Sequence, residues 1–313
     1  MPDSHHHGFP PPMKLSALRD LLAIAERGSL RAAARQLGVA QPAMTRSIQE
    51  LEKELGIVLF ERSAQGIRFT PMGELFLRRA KTVNSELVRA QEELDQMRGE
   101  TNGHLNMCLS SVPHMALLPN ALRPFLARYP NVKLRIIDGV FPLVESELRN
   151  GVVDCYIGPV PEQMPGGMAV EKLFDNTRVI LGRKGHPLAH ARSLRELAKA
   201  EWVTTSITRQ AEDELVPIFT QHGLPPPKIV VEARSALTFL TTLVSSDLLM
   251  ILPIQWTQSP LFRTALQRIE VEELLPAPPI CIVQRTGLPL TPAGEYFCDM
   301  MRRASHHMET LMD

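Results

Sequence analysis

The residue types best suited to chemistry gather on one face of a predicted helix that begins near Pro42. At about 100° per residue, the side opposite the apolar stripe of this helix collects a proline and four polar residues: Pro42, Thr45, Arg46, Gln49 and Lys53. Hydroxyl, amide and guanidinium groups of this kind hydrogen-bond the edges of DNA bases and pair with phosphates. Any solvated helix can present a similar face, so the neighbouring elements have to distinguish the two interpretations.

Those neighbouring elements predict a helix-turn-helix. Two short helices precede the polar-faced one; the first ends at Gly28, and the second is capped by Ser29 and closed by Gly38. The turn before the polar-faced helix has the three- to four-residue length found in helix-turn-helix motifs. This context favours DNA binding over a merely solvated helix.

A small hairpin is predicted directly after the three helices. Residues 58–62 and 67–70 have strand-like patterns, and the segment between them contains a glycine at the turn. Such a hairpin is a wing, and it places Arg62 and Arg68 where they can reach backbone phosphates or the minor groove.

The next segment predicts a long helix that pairs with a second copy of itself. Thr70 and Pro71 provide its N-cap and its first residue. An apolar seam with alternating spacings of four and three residues follows: Phe76, Ala80, Val83, Leu87, Ala90, Leu94 and Met97. A narrow heptad seam flanked by charged residues favours a coiled coil over packing on the helix's own domain. The pattern therefore predicts a homodimer.

The net charge of zero conceals a basic N-terminal segment. Residues 14–82 contain twelve Lys or Arg and seven Asp or Glu, a net charge of +5, so the remainder of the chain is mildly acidic. A basic segment on an acidic body suggests one end that meets a polyanion. The chain has no uninterrupted apolar run of ~18 residues, which argues against a transmembrane helix.

Residues 1–12 and the cysteines bear on location. The first twelve residues lack the basic and apolar regions of a secretion signal, and we interpret them as a disordered extension. The four cysteines have neither CxxC nor other zinc-ligand spacing, which is typical of buried thiols in a reducing compartment. We therefore expect a cytoplasmic protein without a metal site.

The N-terminal residues resemble the LysR-type transcriptional regulators. The resemblance runs from Gly28 to Gly56 and continues through Leu59-Phe-Glu-Arg62 and Phe69-Thr-Pro-Met-Gly73. In that family the residues matching Gln41, Pro42, Thr45 and Arg46 enter the major groove, and the wing touches the backbone. The predicted DNA-binding residues are Ser29, Gln41, Pro42, Thr45, Arg46, Gln49, Arg62, Arg68 and Thr70.

Ala40 departs from the family pattern. It stands where LysR-type regulators usually have Ser or Thr as the N-cap of the recognition helix. The loss of such a cap costs about 0.5–2 kcal/mol of helix stability. It also removes one candidate phosphate contact.

From residue 103 onward, short apolar strands alternate with helices, which predicts βαβ units with parallel strands. Segments 169–184 and 268–284 are expected to cross between two lobes. The predicted fold class is α+β overall: an N-terminal winged helix-turn-helix with a linker helix, then a two-lobed α/β regulatory domain that the resemblance implies is periplasmic-binding-protein-like. The expected boundaries are an extension at 1–12, the DNA-binding domain at 13–70, the linker helix at 71–99 and the regulatory domain at 103–313, with lobe I at 103–168 and 272–313 and lobe II at 169–271.

Polar residues at the predicted strand ends indicate a ligand site. Open α/β sheets bind ligands outside the carboxyl ends of their strands, and hydroxyls and N–H groups at helix starts suit an anion. The alternative is that each Ser or Thr only caps its helix. Val140 and Phe141 suggest an apolar wall that suits an aromatic carboxylate or sulfonate. The predicted effector-binding residues are Ser110, Ser111, His114, Gly139, Val140, Phe141, Thr204, Thr205, Ser206, Arg209 and Ser235.

The sequence thus predicts a DNA-binding transcriptional regulator modulated by a small, anionic effector. It contains no GxSxG, GxxxxGK or HExxH motif, so we expect no enzymatic activity, and we expect no cofactor. The resemblance implies a homodimer or homotetramer on an interrupted palindromic operator in double-stranded DNA, in contact with RNA polymerase and without a membrane partner. A ligand-binding protein without regulatory output and a thiol-switch regulator are the alternatives.

Overall fold

A computed structural model of the chain describes residues 13–63, 66–205, 212–233, 235–258, 262 and 264–312. The predicted extension at 1–12 lies outside the described residues. The chain divides into two compact units: the first extends to Gln91 and includes Asn150–Val152, and the second begins at Glu92 and contains the rest. Among the described residues, no helix combines the length and apolar character that crossing a membrane requires.

The first unit contains three helices, a hairpin and the start of a long helix. Its elements are α1 (Leu15–Arg27), α2 (Leu30–Leu37), α3 (Gln41–Leu55), β1 (Phe60–Ser63), β2 (Gly66–Phe69) and α4 (Pro71–Met97). Helices α1 to α3 each end at a glycine in the left-handed region, with φ of 66° at Gly28, 65° at Gly38 and 67° at Gly56. Side chains with a Cβ rarely adopt this conformation, which is why a glycine ends each helix. The predicted winged helix-turn-helix is confirmed.

The core of the first unit is formed by apolar residues of all three helices and the hairpin. Its fully buried side chains include Leu21, Ile24, Met44, Leu51 and Leu59. Helix α4 joins this core through Ala80, so the long helix is anchored on the domain from which it begins.

The second unit is built from nine strands and seven helical segments among its described residues. The strands are β3 (Asn102–Leu109), β4 (Asn131–Asp138), β5 (Cys155–Pro159), β6 (Met168–Arg183), β7 (Glu201–Thr205), β8 (Lys228–Ala233), β9 (Met250–Pro253), β10 (Leu266–Ile269) and β11 (Pro276–Arg285). The helical segments are a π-helical turn (Pro113–Leu117), α5 (Leu118–Arg128), α6 (Glu145–Arg149), α7 (Glu212–Thr220), α8 (Ala236–Ser245), α9 (Gln255–Gln258) and α10 (Pro292–Met312).

The strand pairing confirms the predicted α/β architecture. Strand β3 pairs in parallel with β4 and β5, and β7 pairs in parallel with β8. Strand β6 pairs antiparallel with β11 near its start and with β9 and β10 near its end. The two long strands β6 and β11 therefore occupy the segments predicted to cross between lobes.

The ladder between β6 and β11 is irregular at one place. Ala277 pairs with Asn176 and Ile280 with Phe174, so β11 has one extra residue there. The next pair is Cys281 with Lys172, and here the extra residue is on β6. Each extra residue is a β-bulge, which interrupts the hydrogen-bond ladder and increases the local twist.

Candidate DNA-binding surface and ligand cavity

Helix α3 has one buried apolar face and one exposed polar face. Met44, Ile48 and Leu51 are buried in the core of the first unit. On the other side, Gln41, Pro42, Arg46 and Gln49 are exposed and Thr45 is half-buried. The side chains predicted to read DNA therefore share the outward face of one helix, whose diameter fits the major groove.

The starts of α2 and α3 differ in their capping. The Ser29 hydroxyl accepts a hydrogen bond from the Ala32 N–H at 3.1 Å, as an N-cap does. Ala40 precedes α3 in an extended conformation and makes no side-chain cap. The departure seen in the sequence is therefore a missing cap at the start of α3.

The wing is a short antiparallel hairpin. Arg62 pairs in register with Ile67 and Glu61 with Arg68, and the Arg68 side chain is exposed. The Arg62 side chain lies outside the described part of the chain. The Ile67 N–H donates to the Gly28 carbonyl at 3.4 Å, so the wing contacts the turn between α1 and α2.

Thr70 has a structural role that limits its predicted contact with DNA. Its hydroxyl donates to the Val58 carbonyl at 2.7 Å and accepts from the Gly73 N–H at 3.0 Å. A hydroxyl has one hydrogen, and phosphate oxygens only accept, so a Thr70 hydroxyl bonded in this way cannot donate to phosphate. Thr70 therefore caps α4, as the sequence predicts, and its contact with DNA stays a prediction.

Two basic residues outside the predicted set are exposed on helix α2, which precedes α3. Arg31 and Arg35 are exposed on α2, four residues apart and thus on one side of the helix. The spacing of four residues between two arginines could have predicted additional phosphate contacts from the sequence.

The seam predicted for dimerisation on α4 is only partly exposed. Ala80 is 2% exposed within its own domain core, so the structure removes it from the seam, and Phe76 packs against the same core. Helix geometry explains the difference because the first turns of α4 also have to cover α1 to α3. Three exposed large apolar residues of α4 are not in the predicted seam: Met72, Leu75 and Val88. The other exposed ones are the seam residues Val83, Leu87, Leu94 and Met97.

The second unit contains a cavity of about 530 Å³, a size typical of small-molecule sites. It opens where the ends of β3 and β5 face the crossing strands β6 and β11. Its lining combines many apolar residues with a few polar ones: Ser110, Ser111, Val112, Val140, Phe141, Pro142, Glu145, Pro159, Val160, Pro161, Gln163, Pro165, Asn176, Arg178, Phe239, Ile251, Leu252, Pro253, Trp256, Ala277, Pro278 and Ile280.

The structure brings four of the predicted effector residues to this cavity: Ser110, Ser111, Val140 and Phe141. Four others that it describes do not line it: His114, Gly139, Thr204 and Ser235. The side chain of Thr205, and the whole of Ser206 and Arg209, lie outside the described residues.

Each of the four residues outside the lining has a structural explanation. Ser235 is the N-cap of α8 and accepts from the Thr238 N–H at 3.1 Å, while Thr204 is buried. A Cβ at Gly139 would lie 2.7 Å from the Cys108 Sγ, so Gly139 allows close packing. These positions follow the alternative interpretation, in which strand-end residues cap helices or fill the core.

His114 does not line the cavity but contacts the backbone of Ser110, which does. Its Nδ1 lies 3.0 Å from the Ser110 carbonyl oxygen and 3.3 Å from Asp138 Oδ1. Both neighbours are acceptors, so Nδ1 carries the hydrogen. The imidazole therefore contacts the Ser110 backbone and Asp138, and its role as a charge partner for the ligand stays a prediction.

Arg178 is the residue that sequence reasoning missed at this site. It lies on β6 and is the one basic residue among the described lining residues. Glu145 is the corresponding acidic residue, and it forms a 2.8 Å ion pair with Arg149. Arg178 lies in segment 169–184, which was predicted to cross between the lobes. A basic residue in such a crossing strand could have been identified from the sequence as a candidate cavity residue.

Two ionisable groups that pack with Phe141 of the cavity wall stay neutral, the Cys108 thiol and the Tyr156 hydroxyl. Burial raises the pKa of the Cys108 thiol to about 12 and raises the pKa of the Tyr156 hydroxyl well above its usual range. The Tyr156 hydroxyl donates to the Pro159 carbonyl at 2.9 Å. Within the described residues, no cluster of His, Cys, Asp and Glu has an arrangement suited to a metal ion.

Two lining residues contain buried polar atoms without a hydrogen-bond partner among the described residues. Ser110 is 4% exposed and its Oγ is unpaired; Trp256 is 3% exposed and its Nε1 is unpaired. Buried polar atoms in folded proteins are nearly always paired with protein or water, so each of these two atoms is a candidate for a hydrogen bond to an ordered water.

Comparison with known families gives two matches. The family described as "Bacterial regulatory helix-turn-helix protein, lysR family" matches residues 15–74, and "LysR substrate binding domain" matches residues 98–305. The transcriptional regulator GalR of Pseudomonas putida is 28% identical over 279 residues, which cover 88% of this chain and 70% of GalR. TdcA of Escherichia coli K12 is 23% identical over 285 residues, or 91% of each chain.

Solved structures share the fold. Full-length CbnR complexed with its target DNA has a TM-score of 0.68 and 23% identity, covering 93% of this chain and all of CbnR. A cysteine-to-aspartate variant of full-length OxyR from Pseudomonas aeruginosa has a TM-score of 0.68 and 22% identity, covering 95% of this chain and 96% of OxyR. At these identities the structures establish a common architecture.

Proposed function

The chain belongs to the LysR family of bacterial transcriptional regulators, and we propose that it recognises a two-part operator through α3 and the wing, and responds to a small organic anion. The observation that carries the DNA-binding part is the outward face of α3, where Gln41, Arg46 and Gln49 are exposed opposite a buried apolar face. CbnR, a structural relative, has been solved with its target DNA. Arg46 and Gln49 are side chains that read guanine and adenine, respectively, in the major groove.

The oligomer is proposed to form along α4. Its exposed apolar residues repeat over the length of the helix, and exposed apolar stripes on helices are covered by partner helices. Two recognition helices held in this way require half-sites separated by about one helical turn of DNA or a multiple of it. Pairing of the regulatory domains would extend the dimer to a tetramer. We place the protein in the cytoplasm, where the position of the operator would decide its contact with RNA polymerase.

The cavity is the proposed effector site. Ser111 and Val112 lie at the start of a helical stretch, where backbone N–H groups have no partner within the helix and the helix dipole favours negative charge. Arg178 adds a positive charge to the same wall. Together these features support an organic anion with an apolar part.

The alternatives have less support. A ligand-binding protein without regulatory output leaves the winged helix-turn-helix without a role. A thiol switch needs two cysteines close together, and Cys155 and Cys298 have Sγ atoms 3.8 Å apart. Both are fully buried, and the hydrogen bond between them and their burial raise the pKa of Cys155, so the reactive thiolate is suppressed.

A double variant, Thr45→Ala with Arg46→Ala, tests the DNA-binding assignment. We expect the full-length variant to lose specific binding to the DNA upstream of its own gene, measured by fluorescence anisotropy over a range of salt concentrations, because base contacts specify the site. Each lost phosphate contact reduces the salt slope by about 0.9.

The matched control changes the same residue types at exposed positions of the second unit, Arg195→Ala with Thr220→Ala. The control should bind as the unaltered protein does, and both variants should keep the same oligomer size by light scattering. Specific binding that survives the α3 substitutions would overturn the assignment.

A further inference from the structure

The proline-rich segment 159–167, which connects β5 to β6, forms part of the cavity wall. Five of its residues line the cavity: Pro159, Val160, Pro161, Gln163 and Pro165. Residues 160–167 form neither helix nor strand, so no hydrogen-bond ladder holds them in place. The prolines restrict the backbone dihedrals of the segment but do not determine where it lies. Other contacts therefore have to fix this part of the wall.

Contacts along its length attach the segment to the rest of the second unit. The Tyr156 hydroxyl donates to the Pro159 carbonyl at 2.9 Å, and Met164 packs against the apolar cluster that contains Tyr156. At the other end, the Thr286 N–H donates to the Gly167 carbonyl at 3.0 Å. Both ends of the segment and its middle are therefore held.

Arg149 adds an anchor that also reaches a residue of the cavity. Its Nη1 donates to the Gly166 carbonyl at 3.2 Å, and its Nη2 donates to Glu145 Oε1 at 2.8 Å. Glu145 lines the cavity, whereas Arg149 does not. Because the guanidinium is planar and its donors have fixed directions, the bond to Glu145 orients the bond to Gly166. Arg149 thus joins the end of the segment to α6.

The same ion pair reduces a charge that opposes an anionic effector. The Glu145 carboxylate in the cavity wall repels a negatively charged ligand. The Arg149 guanidinium provides the compensating charge at 2.8 Å, and water screens part of it because the Arg149 side chain is 45% exposed. Without Arg149 this compensation is lost, and the wall becomes less favourable for an anion.

We propose that Arg149 is a positioning residue of the effector site, which holds segment 159–167 as part of the cavity wall and compensates the charge of Glu145. This inference rests on the proposed function of the cavity as the effector site. Arg149 acts through two other groups, the Gly166 carbonyl and the Glu145 carboxylate. The shape and the charge of one part of the wall therefore depend on a guanidinium that lies outside it.

Cleavage by a glutamate-specific protease after Glu162 measures how firmly the segment is held. Glu162 is exposed within the segment, and the cleavage rate follows the population of the locally opened chain when opening is fast. Arg149→Met keeps the apolar stem of the side chain and removes its donors. Loss of one hydrogen bond of about 0.5–1.5 kcal/mol predicts that the full-length variant is cleaved there about two- to twelvefold faster, measured by mass spectrometry.

Arg183→Met is the matched control for this assay. The Arg183 guanidinium also joins a carboxylate to a glycine carbonyl, with Asp247 at 2.7 Å and Gly185 at 2.9 Å. Both partners lie outside segment 159–167, and none of the three residues lines the cavity. The rate of cleavage after Glu162 should therefore be the same in this variant as in the unaltered protein.

Tryptophan fluorescence reports on the cavity itself, because the chain has two tryptophans and Trp256 lines the cavity whereas Trp202 does not. In a Trp202→Phe background, Arg149→Met should raise the acrylamide quenching constant of Trp256, since the released wall admits the quencher. In a Trp256→Phe background, Arg149→Met should leave the quenching of Trp202 unchanged. A general loosening of the second unit would raise both constants.

Iodide tests the charge compensation, because it quenches fluorescence as acrylamide does but is an anion. Arg149→Met leaves Glu145 without this partner, so the quenching of Trp256 by iodide should increase by a smaller factor than the quenching by acrylamide. Adding Glu145→Gln to the variant removes the repelling charge and should make the two factors equal. A role in packing alone would give equal factors without this second substitution.

Each outcome supports or overturns a stated part of the inference. Unchanged cleavage after Glu162 or unchanged quenching of Trp256 in Arg149→Met would overturn the positioning of the wall, as would equal increases for both tryptophans. Equal factors for iodide and acrylamide would overturn the charge compensation. If Arg149→Met fails to fold, Arg149→Lys provides the cleavage and acrylamide readouts, because a lysine does not reproduce the planar fork. These measurements use neither DNA nor an effector, so a failure of the proposed function would leave their result standing.

Discussion

Replacing Gly73 with alanine tests how the linker helix is anchored to the DNA-binding domain. Gly73 lies in the first turn of α4, directly against the chain that enters the wing. A Cβ atom built there would lie 1.8 Å from the Leu59 carbonyl oxygen and 2.7 Å from its carbon. Because the obstructing atoms are backbone, no side-chain rotation relieves the clash, and α4 has to move by about 1.6 Å to reach an ordinary contact of 3.4 Å.

The magnitude follows from two opposing effects. A shift of this size stretches two hydrogen bonds beyond bonding distance, from the Thr70 N–H to the Leu59 carbonyl at 3.0 Å and from the Thr70 hydroxyl to the Val58 carbonyl at 2.7 Å. Overpacking costs about 1–3 kcal/mol, and each lost hydrogen bond about 0.5–1.5 kcal/mol. Alanine in a helix gains back about 1 kcal/mol over glycine. The clash prevails, with a net destabilisation of about 1–5 kcal/mol.

Thermal unfolding of the full-length protein followed by circular dichroism measures this effect. Tryptophan fluorescence is unsuitable, since both tryptophans belong to the second unit. For a domain of this size, 1 kcal/mol lowers the midpoint by about 4–8 °C. Gly166→Ala is the matched control because a Cβ there meets nothing within 4 Å, and it should leave the midpoint nearly unchanged. An unchanged or raised midpoint for Gly73→Ala would refute the reasoning.

Two further predictions concern capping and pH. Ala40→Ser should stabilise the first unit by about 0.5–2 kcal/mol, because it provides the capping hydroxyl that α3 lacks. Ala40→Val is the control, since it adds no acceptor. Equal melting temperatures of the two variants would argue against a capping effect. Burial, and secondarily Asp138, raise the pKa of Cys108 from 9.0 to about 12, so the folded state retains a proton that the unfolded thiol loses. The contribution of this thiol to stability is full below pH 9 and is lost as the pH rises towards about 12. Above pH 9, the urea midpoint of Cys108→Ala, read by fluorescence, should therefore fall less steeply than that of the unaltered protein. Parallel slopes would contradict this prediction.

The exposed polar face of α3 was predictable because its determinants are local in sequence. A single helix period separates Met44, Ile48 and Leu51 from the outward residues of α3, and glycines mark the helix ends. The second partner of the Thr70 hydroxyl is the Val58 carbonyl, twelve residues away, and no periodicity reveals this contact. Ala80 was assigned to the seam for a similar reason. The heptad spacing predicts an apolar face on α4, but it does not distinguish positions that a partner helix covers from positions that pack on the helix's own domain.

The cavity was predictable only at its βα edge. Strand ends identified Ser110 and Ser111, because parallel strands place their carboxyl ends together. Arg178 and Trp256 come from a crossing strand and a four-residue helix, and their position depends on how distant segments pair. Some hydroxyls that the sequence offered as ligand contacts cap helices instead. Ser235 is an example: its hydroxyl forms a hydrogen bond with a backbone N–H.

The paired bulges of β6 and β11 have a mechanical consequence. Ala277, Pro278 and Ile280 belong both to the irregular stretch of the ladder and to the cavity lining. A sheet resists bending where its ladder is continuous and yields where a bulge interrupts it. We therefore expect a molecule held in the cavity to contact the two strands where they bend most easily, and its size to change the angle between the strand segments on either side.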